Sequence, residues 1–198
     1  AGLEGGYCAE LLSPRSGCKV RKVEMLKLAD EDYPVEAVPL DEVFEEACGR
    51  RPKNIGLLTP TEVIPTRFFL NFRKMFDGEE NVIDVREILF KVKYEKSENE
   101  MRMISEAARI CDVMIEGMLA VLRPGLYETQ VAQWGYAVAK ELGVETRGFD
   151  VMVCAGESNR AIVGRAMNRK IAAGDVVMLG VGPKRDGLTA CERCSVVC

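Results

Sequence analysis

The residues able to do chemistry in this 198-residue chain are defined first by an omission. There is no histidine, so the commonest general base and the commonest neutral metal ligand are both missing. What remains is concentrated near the end. Glu192 and Arg193 are adjacent; a glutamate suits a guanidinium or amine, and an arginine suits a carboxylate. The same two residues also read as a surface or cross-strand ion pair. Cys191 and Cys194 form a single C-x-x-C followed by Cys198. A closed zinc site needs four ligands, and alternation along a strand sends Cys191 and Cys194 to opposite faces. The motif therefore reads as a cysteine-rich strand rather than a metal or redox centre. Gly156 to Arg160 is a polar loop after a strand, a place where sites are often lined. The glycines from Gly2 to Gly6 lack the lysine and strand-to-helix context of a phosphate loop.

The elements that must position these residues alternate between helix and strand periodicity. Pro39-Leu40-Asp41 opens a helix through about Cys48, with Val43, Phe44 and Ala47 on one face. Asn54–Leu58 and Asn81–Val85 read as buried strands, and Val20–Leu28 is ambiguous. Thr59–Glu62 is a turn into a helix, with Thr59 or Thr61 as its cap. The stripe Phe68, Phe69, Phe72 and Phe76 on that helix reads as core. The polar, charged stretch Lys91–Lys96 reads as the boundary between two domains. Ser97 and Glu100 then form a capping box. The helix they open carries Met101, Ile104, Ala108, Cys111, Ile115, Met118 and Leu122 as one apolar stripe, and Arg123-Pro124-Gly125 ends it. A second helix spans about Tyr127–Leu142 with Val131, Trp134, Val138 and Leu142 buried. Phe149–Cys154 is a strand. Val176–Gly182, a turn at Pro183–Asp186 and Leu188–Val197 make a hairpin.

Composition narrows the classes. Apolar residues make up 47% and charged residues 29%, with a net charge of −4, which suits a globular domain and gives no electrostatic case for nucleic acid. No apolar run reaches the roughly 20 residues of a membrane helix. The first residues do not read as a signal peptide, and they lack an initiator methionine, as a processed chain or a piece of a longer one would. The eight cysteines, without a secretion signal, read as reduced thiols in a cytoplasmic protein.

Four segments carry a family resemblance: Lys96-Ser97-Glu98-Asn99-Glu100, Pro124-Gly125-Leu126-Tyr127-Glu128, Cys154-Ala155-Gly156 and Asn168 to Asp175. In this order and spacing they resemble the first half of the catalytic domain of the creatinase / aminopeptidase P / Xaa-Pro dipeptidase family, peptidase M24. The resemblance implies an α+β pita-bread fold, incomplete in this chain. Residues 1–92 would be part of the smaller N-terminal α/β domain, and 93–198 the first half of the catalytic-type domain. It implies C–N bond hydrolysis of a small-molecule or peptide substrate, a homodimer, and, in many relatives, two divalent metal ions held partly by two aspartates of the hairpin. Those positions are Gly180 and Cys191 here, and a family histidine expected near Val163 or Gly164 is absent. No metal site or cofactor is therefore carried over, and the catalytic residues are unassigned. Thr189-Ala190-Cys191-Glu192-Arg193 is similar to the metal-free creatinase branch, which makes Glu192 and Arg193 the candidate substrate-binding residues. The alternative is a non-catalytic scaffold that binds a peptide or protein partner.

Overall fold

The computed structural model describes residues 3–26 and 37–198. They fall into two compact units, Ala1–Tyr94 and Glu95–Cys198. Of the ambiguous segment Val20–Leu28, the end at Lys27 and Leu28 lies outside the described residues. The rest forms a bridge at Val23 to Val38 and a 3-10 turn at Glu24–Leu26.

The first unit contains helix α1 (Leu3–Ser16), α2 (Leu40–Cys48), strand β1 (Ile55–Leu57), α3 (Thr66–Met75), β2 (Val82–Asp84) and α4 (Arg86–Tyr94). Strands β1 and β2 are parallel, with α3 as the crossover that a parallel pair requires. Phe76 is buried and meets Phe44 edge-to-face at 5.7 Å, so the aromatic stripe serves the core. Neither Thr59 nor Thr61 caps α3. Its N-cap is Pro65, without a side-chain bond, because a proline there disfavours a helical Ile64 and blocks extension toward the threonines. Within the expected boundary stretch Lys91–Lys96, helix α4 continues as far as Tyr94, where the first unit ends. Asp84 explains the start of this helix, accepting a bond from the Arg86 N–H at 3.0 Å.

The second unit has two long helices, α5 (Glu98–Val121) and α6 (Glu128–Glu141), against strands β3 (Thr146–Arg147), β4 (Met152–Ala155), β5 (Val176–Val181), β6 (Pro183–Arg185), β7 (Leu188–Thr189) and β8 (Glu192–Val197). The capping box forms as the sequence dictates. The Ser97 N–H donates to Glu100 Oε2 at 2.8 Å, and the Glu100 N–H donates to Ser97 Oγ at 3.3 Å.

The buried faces differ from the expected stripes. On α5 they are Ala107, Ile110, Cys111, Met114, Ile115 and Met118, while Met101 is 51% exposed and Ala108 is exposed. The helix packs on both α6 and the sheet, so its buried face is wider than a single 3-4 stripe. On α6 the buried residues are Glu128, Val131, Ala132, Gly135 and Ala139, and Trp134 is 52% exposed. Close approach selects small side chains: a Cβ at Gly135 would lie 2.8 Å from Met118 Sδ.

The main sheet has the order β4-β5-β8, antiparallel throughout, with β3-β6-β7 beside it in sequence as a second small sheet. Pro183–Arg185, expected as a turn, is extended and pairs with β7. The chain reverses instead at Asp186 and Gly187, both at positive φ, as a two-residue hairpin turn requires. All eight cysteines are free, and Cys8, Cys18, Cys48 and Cys191 are exposed.

Candidate functional site

The register of the main sheet decides which side chains meet. Met152, Gly180 and Arg193 form one cross-strand row, and Cys154, Met178 and Ser195 the next. The alternate rows, such as Val153, Leu179 and Cys194, join the core beneath α5 and α6. The first set therefore occupies the face turned away from the helices, where Met152, Cys154 and Met178 pack with Phe149 as a separate cluster.

Gly180 is the centre of that face. A Cβ built on it would lie 2.6 Å from Met152 Cε and 3.4 Å from Arg193 Cγ. The place where a hairpin carboxylate would project is thus filled by a thioether and the stem of a cationic side chain. Gly180 offers no donor atom, and its cross-strand neighbour on β8 is the cationic Arg193. Among the described residues, no group of three or more His, Cys, Asp or Glu side chains could hold a metal ion. The donor set does not fit a divalent metal pair.

Arg193 Nη1 donates to the Ile162 carbonyl at 3.1 Å. Among the described residues Arg193 has no carboxylate partner. Its remaining donors are available to an anion. Next to it, Phe149, Asp150, Met152, Val163, Gly164 and Arg165 line an open groove of about 530 Å³. Within it, Asp150 is bonded by Arg147, approached by Arg165 Nε at 3.4 Å, and receives the Tyr136 hydroxyl at 3.5 Å.

Glu192 does not join Arg193. It sits half-buried on the alternating side of β8 that includes Cys194 and Val196. Burial raises its carboxyl pKa, and the like charges of Asp112 and Glu116 on α5 add to the rise. Cys191 precedes β8 and is exposed, whereas Cys194 is half-buried. Burial pushes the Cys111 thiol up to about 12, helped by Glu192, Cys191 and Asp112. It also raises Cys154 and Cys194. At all three, burial disfavours the thiolate.

Two features escaped the sequence reading. Asp150 gave no signal. Glu128 did, as the last residue of Pro-Gly-x-x-Glu, but its place could not be read from spacing. It has no exposed surface and is bonded to Ala155, Ser158 and Met167. The polar loop Gly156–Arg160 is a 3-10 turn. It is backed by an Arg169–Asp175 ion pair of 2.9 Å, close enough that a Cβ at Gly156 would lie 2.5 Å from Arg169 Nη2.

Comparison with known proteins places this architecture. The chain is 26% identical over 160 residues to the Xaa-Pro dipeptidase of Pyrococcus horikoshii, covering 80% of this chain and 44% of that protein. It is 29% identical over 105 residues to the uncharacterized peptidase YqhT of Bacillus subtilis, covering 53% and 30%. The crystal structure of the prolidase from P. horikoshii OT3 superimposes with a TM-score of 0.69 at 23% identity, over 84% of this chain and 46% of that one. The chain thus spans less than half the length of these relatives, and its fold is an incomplete pita-bread fold of mixed helix and sheet. Residues 102–198 match the metallopeptidase family M24. Through them the second unit, Glu95–Cys198, is assigned to family M24.

Proposed function

We propose that this chain is part of an M24-type hydrolase-like protein that handles a small amide or peptide, Xaa-Pro dipeptide-like or creatine-like, without a metal pair held by its hairpin. The open face, meaning the side of the β4-β5-β8 sheet away from the helices where the groove beside Met152 lies, receives the substrate, while Cys154 and Met178 on it are buried. Arg193 binds the substrate carboxylate there, a charge-assisted contact with an oriented fork. Glu192, on the other side of β8, has no part in that contact. The observation that supports the reading is the row Met152–Gly180–Arg193, in which a cationic side chain stands next to a glycine that has no carboxylate to offer a cation.

The groups of this chain bind and orient. None of the side chains in the two open-face rows, Met152, Arg193, Cys154, Met178 and Ser195, is a base at neutral pH, so proton transfer for C–N cleavage falls to groups outside these rows. The row equally supports a second reading, a scaffold that holds a peptide without cleaving it.

The test uses the whole natural protein that contains this sequence. Hydrolysis of Ala-Pro and of creatine is measured with Mn²⁺ or with a chelator present. Turnover indifferent to both supports the first reading. Saturable Ala-Pro binding without turnover, abolished by Arg193→Gln, supports the second. Turnover that requires Mn²⁺ and vanishes with chelator contradicts both.

A further inference from the structure

Glu128 is the single charged side chain in the buried set of the described residues, with 0% exposure. The proposed contact at Arg193 makes no direct use of it. It stands in the first turn of α6, where a negative charge is favoured by the helix dipole. Its Oε1 accepts the Ala155 N–H at 2.8 Å and is bonded to the Ser158 hydroxyl. Its Oε2 accepts the Met167 N–H at 2.9 Å. Main-chain bonds reinforce the far end: the Glu128 N–H donates to the Arg169 carbonyl at 3.0 Å, and Ile171 N–H to the Leu126 carbonyl at 2.8 Å.

The three partners of the carboxylate bracket one stretch of chain. Ala155 ends β4, Ser158 lies in the turn that follows, and Met167 closes the loop. Between them lie Ile162, whose carbonyl holds Arg193, and Val163, Gly164 and Arg165, which line the groove. We infer that Glu128 is a positioning residue for the open-face site. By closing the segment 155–167 on itself, one buried carboxylate fixes the Ile162 carbonyl and so orients the Arg193 guanidinium. This inference rests on the reading of Arg193 as a carboxylate-binding residue.

The chemistry explains why a carboxylate stands here. Its two oxygens accept bonds from opposite ends of the segment at once. An alanine leaves the Met167 N–H without an acceptor. A glutamine keeps one acceptor for Met167 and turns its amide toward Ser158, whose hydroxyl can accept, but it offers nothing to Ala155 beyond the Ser158 hydroxyl already there. The order of site integrity is Glu, then Gln, then Ala.

Wild type, Glu128→Gln and Glu128→Ala are compared by two readouts. Amide hydrogen exchange, with trypsin cleavage after Arg160 and Arg165, reads the segment. Calorimetric titration with Ala-Pro reads the site. In Glu128→Ala the 161–167 amides exchange about tenfold faster or more, trypsin cuts there, and α5 keeps its protection. Ala-Pro affinity falls by roughly ten- to a hundredfold, and Glu128→Gln restores part of both. Should Glu128→Ala fail to fold, Glu128→Gln and Ser158→Ala provide the same two comparisons. Unchanged segment protection overturns the clamp. A loosened segment with unchanged affinity overturns the positioning role and leaves Glu128 purely structural. If wild type binds no Ala-Pro, the Arg193 reading fails instead, and segment protection alone decides whether Glu128 is a clamp.

Discussion

Beneath the helices, the β4-β5-β8 sheet presents Val153, Leu179 and Cys194; on its other side the same strands present Met152, Gly180 and Arg193. The first row is packed against α5 and α6, and Val153 and Leu179 have no exposed surface. The second holds a glycine crowded by a methionine and an arginine. The contrast separates what the fold needs from what the site does. The helix side obeys apolar burial and tolerates little change. The open side keeps the backbone of the family but carries an arginine with no carboxylate counter-charge among the described residues.

The contrast can be broken most severely at Leu179. Leu179→Ala should cost about 3 kcal/mol of stability through lost transfer energy and a residual cavity. Arg193→Gln, one row away, should cost less than about 0.5 kcal/mol while abolishing Ala-Pro binding. Urea denaturation and calorimetric titration check the pair. Equal stability losses at the two positions would erase the distinction between the faces.

A smaller effect is expected at the start of α5, which lies on the helix side of the comparison. Ser97→Ala removes the acceptor for the Glu100 N–H and should cost about 1 kcal/mol, read as a lowered urea midpoint with binding at the open face unchanged. The smallest effect sharpens the boundary between the faces at Glu192. Burial and the like charges of Asp112 and Glu116 raise its folded pKa above the unfolded value. Between those two values the folded state holds the proton more tightly, so stability falls as pH rises through that window. Glu192→Gln should therefore stabilise the protein at neutral pH by less than about 1 kcal/mol, discounted for solvent screening. The gain should vanish below the ordinary carboxylate range. Thermal unfolding at both pH values tests it; a gain at acid pH alone would reverse the assigned cause.

What was legible in the sequence follows the range of the forces involved. The capping box joins Ser97 and Glu100, three positions apart, and is legible from the sequence alone. The hairpin strands were found, but the turn was misplaced toward Pro183, since the positive φ of Asp186 and Gly187 outweighs the proline as a marker of reversal. Periodicity put Ala108 and Trp134 in the core. Close packing of α5 on α6 buried Ala107 and Gly135 instead, and a helix pair's separation cannot be read from one helix. Strand alternation already separates Glu192 from Arg193, whereas the pairing of Arg193 with Ile162 joins residues far apart in sequence. The same holds for Glu128 with Met167. The identity of Gly180 was visible, but not that Met152 and Arg193 fill the space before it.

In the proposed reading the open face binds an anion through Arg193 and no cation pair through the hairpin. The most direct measurement is Ala-Pro affinity of the metal-stripped protein, by calorimetric titration, with and without added Mn²⁺, for wild type and Arg193→Gln. Binding should be unaffected by Mn²⁺ and lost in Arg193→Gln, with no stoichiometric Mn²⁺ uptake by either chain. Tight Mn²⁺ uptake that is required for Ala-Pro binding, with Arg193→Gln binding as well as wild type, would contradict it.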